Sequence, residues 1–253
     1  MPLLTHALTH AGTVRSQNED RVLLQPQLGL FAVCDGMGGQ RHGELAAELA
    51  VASLRHFVAS SWDPHEVTWP YGYDIDLSTD ANRISTALRI ANRSVWRKAE
   101  QELECAGMGT TVAAVLFQED HFVAANVGDS RVYLLHADKL QQISLDDTLT
   151  RAMVEQGLIT PEKLKTHPMR NLLTQSLGSS EKVDVHLREH TIEHGDILLL
   201  CSDGLYGVLE AELIHELLAA NGPVEAVANS LIQAALDHQA TDNISAIVIR
   251  SNE

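Results

Sequence analysis

Residues 110–135 read TTVAAVLFQEDHFVAANVGDSRVYLL. Three short apolar runs, 110–117, 121–126 and 131–135, follow one another with no helical segment between them. The break FQEDHF carries turn residues, so the first two runs pair as an antiparallel hairpin. Outward from this core, 28–34 (LGLFAVC), 197–201 and 243–250 (NISAIVIR) have the same composition and read as strands, several of them buried on both faces. Helical spacing marks 44–58, 82–104 (through Ile84, Leu88, Ala91 and Val95), 209–219 and 224–236. The order is strands, two helices, several strands, two helices and a last strand. A doubly wound parallel sheet requires regular alternation, so the pattern predicts a layered α+β fold with sheets packed together and helices outside.

Two connections break this pattern. Residues 61–78 (SWDPHEVTWPYGYDIDLS) are rich in aromatics, Pro and Asp, and the rings of Trp62, Trp69, Tyr71 and Tyr73 are expected to pack. Residues 146–171 form an irregular insertion with a short helix and a Thr-Pro helix start. Insertions of that length in a compact domain are often functional.

The chain has 253 residues, and 18 basic against 34 acidic side chains give a net charge of −16. A surface this acidic repels nucleic acid and anionic membranes. The charge has two readings, a solubilising surface or a local concentration at a cation site. Cys34, Cys105 and Cys201 form no CxxC pair and no disulfide framework, which fits a reducing cytoplasm. No basic-then-apolar leader opens the sequence and no apolar run is long enough to span a bilayer, so one soluble domain over 1–253 is expected.

The carboxylates are placed unevenly. Glu19 and Asp20 close RSQNED, Asp35 ends a strand before Gly36, Asp129 follows a strand in NVGDSR, Asp203 ends one in CSDGL, and Asp242 precedes the last strand. An Asp-Gly step makes a turn on its own. Five acidic motifs at strand ends instead suggest carboxylates gathered at one sheet edge, where they cannot all stay ionised without a counter-charge. Oxygen donors without a matching Cys or His cluster favour Mg²⁺ or Mn²⁺ over Zn²⁺. The thirteen histidines include His6/His10, His186/His190 and His190/His194. These pairs fall outside helical text, where four-residue spacing does not make a metal site.

In this order and at these separations, RSQNED, VCDGMGG, GMGTT, NVGDSR, CSDGL and TDN resemble the bacterial metal-dependent Ser/Thr protein phosphatases, the PPM or type 2C family. The resemblance runs from about residue 5 to residue 249. It implies a β-sandwich of two antiparallel sheets flanked by helix pairs, with a flap over about 146–167. It implies two core Mn²⁺ or Mg²⁺ ions, with Asp35 bridging them, the Gly36 carbonyl and Glu19 on the second, and Asp203 and Asp242 on the first. Asp20 would hold metal-bound water, Arg15 would grip the substrate phosphate, and Asp129 would bind a weak third ion. The implied activity is hydrolysis of phosphoserine and phosphothreonine in proteins, by water activated at the two-metal centre. The implied partners are a Ser/Thr kinase and its substrates, met by a cytoplasmic monomer.

Two positions depart from the family pattern. Met37 stands where eukaryotic relatives often carry a proton-donating His, and Gly207 stands where an acidic residue often helps hold the third ion. Two other readings are a catalytically dead phosphoprotein-binding module, opposed by the intact Asp35, Asp203, Asp242 and Arg15, and a small-phosphoester hydrolase, for which no dedicated pocket is legible.

Overall fold

The hairpin expected from residues 110–126 lies at the centre of one of two five-stranded antiparallel sheets. A computed structural model describes residues 2–38, 42–63, 67–164 and 166–252. Gly39 of the glycine run, residues 64–66 of the aromatic connection and Lys165 of the flap lie outside the described residues. In chain order the strands are β1 (Leu3–His10), β2 (Arg21–Gln25), β3 (Leu30–Cys34), β4 (Gly36–Met37), β5 (Gly109–Thr110), β6 (Val112–Gln118), β7 (His121–Val127), β8 (Arg131–His136), β9 (Lys139–Gln142), β10 (His186–Thr191), β11 (Ile197–Cys201) and β12 (Ile244–Ser251). The helices are α1 (His42–Ser60), α2 (Thr79–Gln101), α3 (Leu149–Glu155), α4 (Asp203–Tyr206), α5 (Ala211–Ala219) and α6 (Val224–Asp237). One sheet has the order β1-β12-β11-β8-β9 and the other β10-β7-β6-β3-β2, with β4-β5 as a separate two-stranded ribbon.

The continuous apolar runs follow from burial on both faces of each strand. Along β3, Phe31 and Val33 face the second sheet, while Leu30, Ala32 and Cys34 face α1 and α2. The other sheet repeats the division. Leu198, Leu200, Ile247 and Ile249 enter the space between the sheets, and Leu199, Cys201, Ala246 and Val248 pack under α5 and α6. A period of two sends alternate residues to opposite faces, and here each face meets an apolar layer. The result is helices, sheet, sheet, helices.

The topology also determines where the polar strand ends fall. Strand β3 pairs antiparallel with β6, and β6 antiparallel with β7. The C-terminal ends of β3 and β7 therefore lie at the same edge. Strand β2 runs against β3, with Arg21 opposite Cys34, so its N-terminal end joins them. In the other sheet β11 runs against β12, which sets Asp203 beside Asp242.

The two irregular connections are held by specific contacts. Trp69 packs on the core beneath α1, with its ring 6.2 Å from Phe57 and 5.2 Å from Tyr73. The buried Arg83 guanidinium lies 4.8 Å from the Trp62 ring, donates to the Ser61 carbonyl and pairs with Asp80. Trp62, Trp69 and Tyr73 thus pack, with Trp62 and Tyr73 keeping part of their rings in solvent, while Tyr71 is exposed and donates from its hydroxyl to the Arg89 carbonyl. The insertion starts with α3, capped by the Thr148 hydroxyl, and Pro161 opens a single 3₁₀ turn. Beyond it, Asn92 of α2 is 1% exposed, accepts from the Gly178 amide and donates to the Ser180 and Glu181 carbonyls. Removing one partner of a buried hydrogen bond costs about 1–3 kcal/mol. Asn92→Ala should therefore destabilise the protein by at least about 2 kcal/mol in urea unfolding, and a loss under about 0.5 kcal/mol would show that the segment is held by other contacts.

Candidate functional site

The edge where the two sheets meet opens into a cleft of about 490 Å³, and Arg15, Glu19, Asp35, Gly36, Asp129, Asp203 and Asp242 all line it. Asp20 is 1% exposed and lies under the cleft floor. Its Oδ2 accepts from the Ser202 hydroxyl at 2.8 Å, while Oδ1 is buried with no hydrogen-bond partner. The charges of Asp20, Asp203, Asp129 and Asp242 all act on the buried Asp35 carboxyl, which places it among them. Its own backbone is fixed, since Asp35 O accepts from the Thr111 amide and the Thr110 hydroxyl, both at 2.9 Å.

Gly36 is required by space. A Cβ there would stand 2.1 Å from the Gly43 carbonyl oxygen and 2.6 Å from that of Glu19. The first turn of α1, the Asp-Gly step and the Glu19 loop therefore meet backbone to backbone. Glu19 is further held by Asn243, whose Oδ1 accepts from the Glu19 amide at 2.8 Å and whose Nδ2 donates to the Ala11 and Gln17 carbonyls. At the mouth, Arg15 Nη2 lies 2.8 Å from Asp242 Oδ2, and both side chains are substantially exposed. Asp129 Oδ2 accepts from the Tyr206 hydroxyl at 3.0 Å.

These contacts identify residues that the sequence motifs left without a role. Asn243 stands in TDN and Tyr206 in CSDGLY, but their partners lie 224 and 77 residues away. Asn171 at the end of the insertion and Leu173 just beyond it also line the cleft, together with Met37 and Thr111. The cysteines are buried and free. His186 bonds Asp147 at 2.7 Å, away from the cleft.

The electrostatics follow from crowding. Desolvation, reinforced by the charge of Asp203, pushes Asp129 up to about 7. Asp203 is raised to about 6 by desolvation and Asp242, and Asp20 reaches about 6 through desolvation despite the hydrogen bond from Ser202. Asp35 is raised well above its ordinary value by desolvation and then by Asp20, Asp203, Asp129 and Asp242. Among the described residues, Arg15 is the one cationic side chain lining the cleft. No three His, Cys, Asp or Glu side chains among the described residues are already closed around one point. The donor set, an orphaned buried carboxylate oxygen and the uncompensated charge together fit hard divalent cations.

Two expectations come from this geometry. A carboxylate whose folded pKa is raised contributes stability that is complete below its unfolded value near 4 and is lost as pH rises through the folded value. The metal-free protein should therefore lose stability from about pH 4 through pH 7, and bound cations should reverse that loss. The rise in Tm on adding Mn²⁺ should be larger at pH 8 than at pH 5.5 in scanning calorimetry, whereas a pH-independent rise would exclude these carboxylates as ligands. Gly36→Ala should force α1 and the Glu19 loop apart, costing about 1–3 kcal/mol and weakening Mn²⁺ binding. Unchanged Mn²⁺ affinity by calorimetry would show that the close approach does not shape the site.

The chain matches the protein phosphatase 2C family over residues 13–244. It is 37% identical over 242 residues to the serine/threonine protein phosphatase PstP of Mycobacterium tuberculosis, covering 96% of this chain and 44% of that protein. It thus spans less than half the length of that relative. Against the serine/threonine phosphatase stp of Listeria innocua, identity is 31% over 251 residues, covering 96% of this chain and 94% of the relative. A crystal structure of the catalytic domain of PstP in complex with two manganese ions superposes with a TM-score of 0.82 at 32% identity, covering all of both chains. The two-sheet architecture, the cleft at its seam and the sequence match lead to one conclusion: this chain belongs to the protein phosphatase 2C family.

Proposed function

We propose that this chain is a metal-dependent phosphatase acting on phosphoserine and phosphothreonine in proteins. The observation that carries the reading is the convergence of Asp35 from one sheet, Asp203 and Asp242 from the other, and Asp129 from the β7–β8 connection between them, on a cleft whose mouth holds Arg15. Asp35, central among the carboxylates, is assigned as the bridge between two Mn²⁺ or Mg²⁺ ions. Asp203 and Asp242 would complete the first ion's shell, and Glu19 with the Gly36 carbonyl the second. Asp20, below the floor, would accept from water ligated there, and Asp129 would hold a third ion. When bound, the ions supply an acidified water nucleophile and neutralise charge on the phosphate.

The rest of the reading concerns side chains of this chain. Arg15 presents a guanidinium at the mouth and exchanges its Asp242 contact for phosphate oxygens, a charge-assisted and geometrically selective grip. Met37 lines the cleft where a proton donor could stand and has no proton to give, so the leaving alkoxide takes its proton from water or from another residue. The cleft, lined also by Asn171 at the end of the insertion and by Leu173, suits a phosphorylated loop of a protein better than a small enclosed ester. Among the described residues no helix is long and apolar enough to cross a membrane. A cytoplasmic, monomeric enzyme opposing a Ser/Thr kinase is the assignment we favour.

Mn²⁺-dependent hydrolysis of a phosphothreonine peptide tests the proposal. Asp35→Asn should lower kcat by orders of magnitude with the fold intact by circular dichroism, and retained turnover at saturating Mn²⁺ would overturn the bridging assignment. Arg15→Ala should mainly raise KM, about tenfold to a hundredfold for the loss of a charged hydrogen bond worth roughly 1.5–3 kcal/mol. An unchanged KM with weakened Mn²⁺ binding would make Arg15 a support for Asp242 rather than a phosphate ligand.

A further inference from the structure

Tyr206 ends α4, three residues after Asp203, and its hydroxyl donates to Asp129 Oδ2 at 3.0 Å. The ring is fixed from its other side. The Arg131 guanidinium lies over it with 3.6 Å from Cζ to the ring centroid, a close cation–π contact. Arg131 is itself immobilised, donating from Nε and Nη2 to Asp146, with Nη2–Oδ2 at 2.6 Å, and from Nη1 to the Tyr133 hydroxyl at 2.8 Å. Asp146 also accepts from Gln142 Nε2 at 2.7 Å. A rigid stack thus runs from the base of the insertion, through Arg131 and Tyr206, to one oxygen of Asp129. The next residue, Gly207, has no side chain to offer the cleft.

We propose that Tyr206 is a positioning residue, which holds Asp129 by Oδ2 so that its remaining oxygen faces the cleft and sets the affinity of the weakly held third divalent cation. This rests on the function proposed above. With one Asp129 oxygen committed to a hydroxyl and no carboxylate at position 207, the third ion has a single fixed anionic oxygen from this side. Its affinity then depends on how well that oxygen is held. Hydrogen-bonded partners behind a ligand typically account for 10–100-fold in metal affinity.

Tyr206→Phe keeps the ring and the stack under Arg131 and removes only the donor. Calorimetric Mn²⁺ titration of metal-free wild type, Tyr206→Phe, Asp129→Ala and the double variant separates the possibilities. The expected result is two tight sites unchanged in Tyr206→Phe and a third site weakened by about 10–100-fold. Tyr206→Phe should add nothing in the Asp129→Ala background. A lower Tm with unchanged third-site affinity would make the hydroxyl a merely structural partner and overturn the proposal. Weakening of a tight site would overturn it as well, by placing Asp129 in the core pair. If Asp129→Ala leaves the third site intact, the assignment of Asp129 itself fails and the role of Tyr206 falls with it, while the two-ion activity stands.

Discussion

Crowded carboxylates at the seam of two sheets are the constraint on which this protein turns. Asp20, Asp35, Asp129 and Asp203 are each raised by desolvation and by the charge of at least one neighbouring carboxylate. Such a group is a poor structural element, because like charges brought out of water oppose folding. It persists here because every backbone around it is committed elsewhere. Asp35 is fixed by Thr110 and Thr111, the Glu19 loop by Asn243, and Gly36 by its contact with the start of α1. The sandwich supplies the rigidity, and the carboxylates supply a place where positive charge is worth most.

The division of the site between two sheets has a further consequence. Neither sheet alone presents more than part of the oxygen set, so the donor geometry depends on how the sheets pack. That packing rests on Phe31, Val33, Leu198, Leu200, Ile247 and Ile249, all of them buried between the layers. Core residues directly below the strand ends therefore act on the chemistry through position. A cavity opened there would be felt as misplaced oxygens before it was felt as unfolding, because close-packed interiors transmit strain.

Legibility in the sequence followed burial. The six strands expected from apolar runs correspond to β3, β6, β7, β8, β11 and β12, and all six are interior to their sheets. The longer strands left unread, β1, β2, β9 and β10, are the four sheet edges. Their sequences, such as KLQQ and HLREHT, mix charged and apolar residues, as edges exposed on one side commonly do. The ribbon β4-β5 is two residues per strand and carries no pattern. The same logic applies at the site. Asp35, Asp129, Asp203 and Asp242 are legible because each punctuates an apolar strand. Asn243 and Tyr206 are not, because their importance lies in partners distant in sequence. The resemblance through six ordered motifs supplied the two-sheet architecture that periodicity alone left as layered α+β.

The net charge of −16 is paradoxical for a protein whose proposed substrate is a phosphate dianion. Without cations, the cleft offers that dianion one guanidinium, and Arg15 is already paired with Asp242. The bare site should therefore repel the substrate. Under the proposed assignment, cation binding would change two things together, neutralising the carboxylates and releasing Arg15 from its pairing with Asp242. Substrate affinity would in this way be linked to cation loading, and by reciprocity a bound phosphate would strengthen cation binding. An acidic surface then suits the function, because it draws divalent cations to the cleft and leaves phosphate recognition to the loaded site alone.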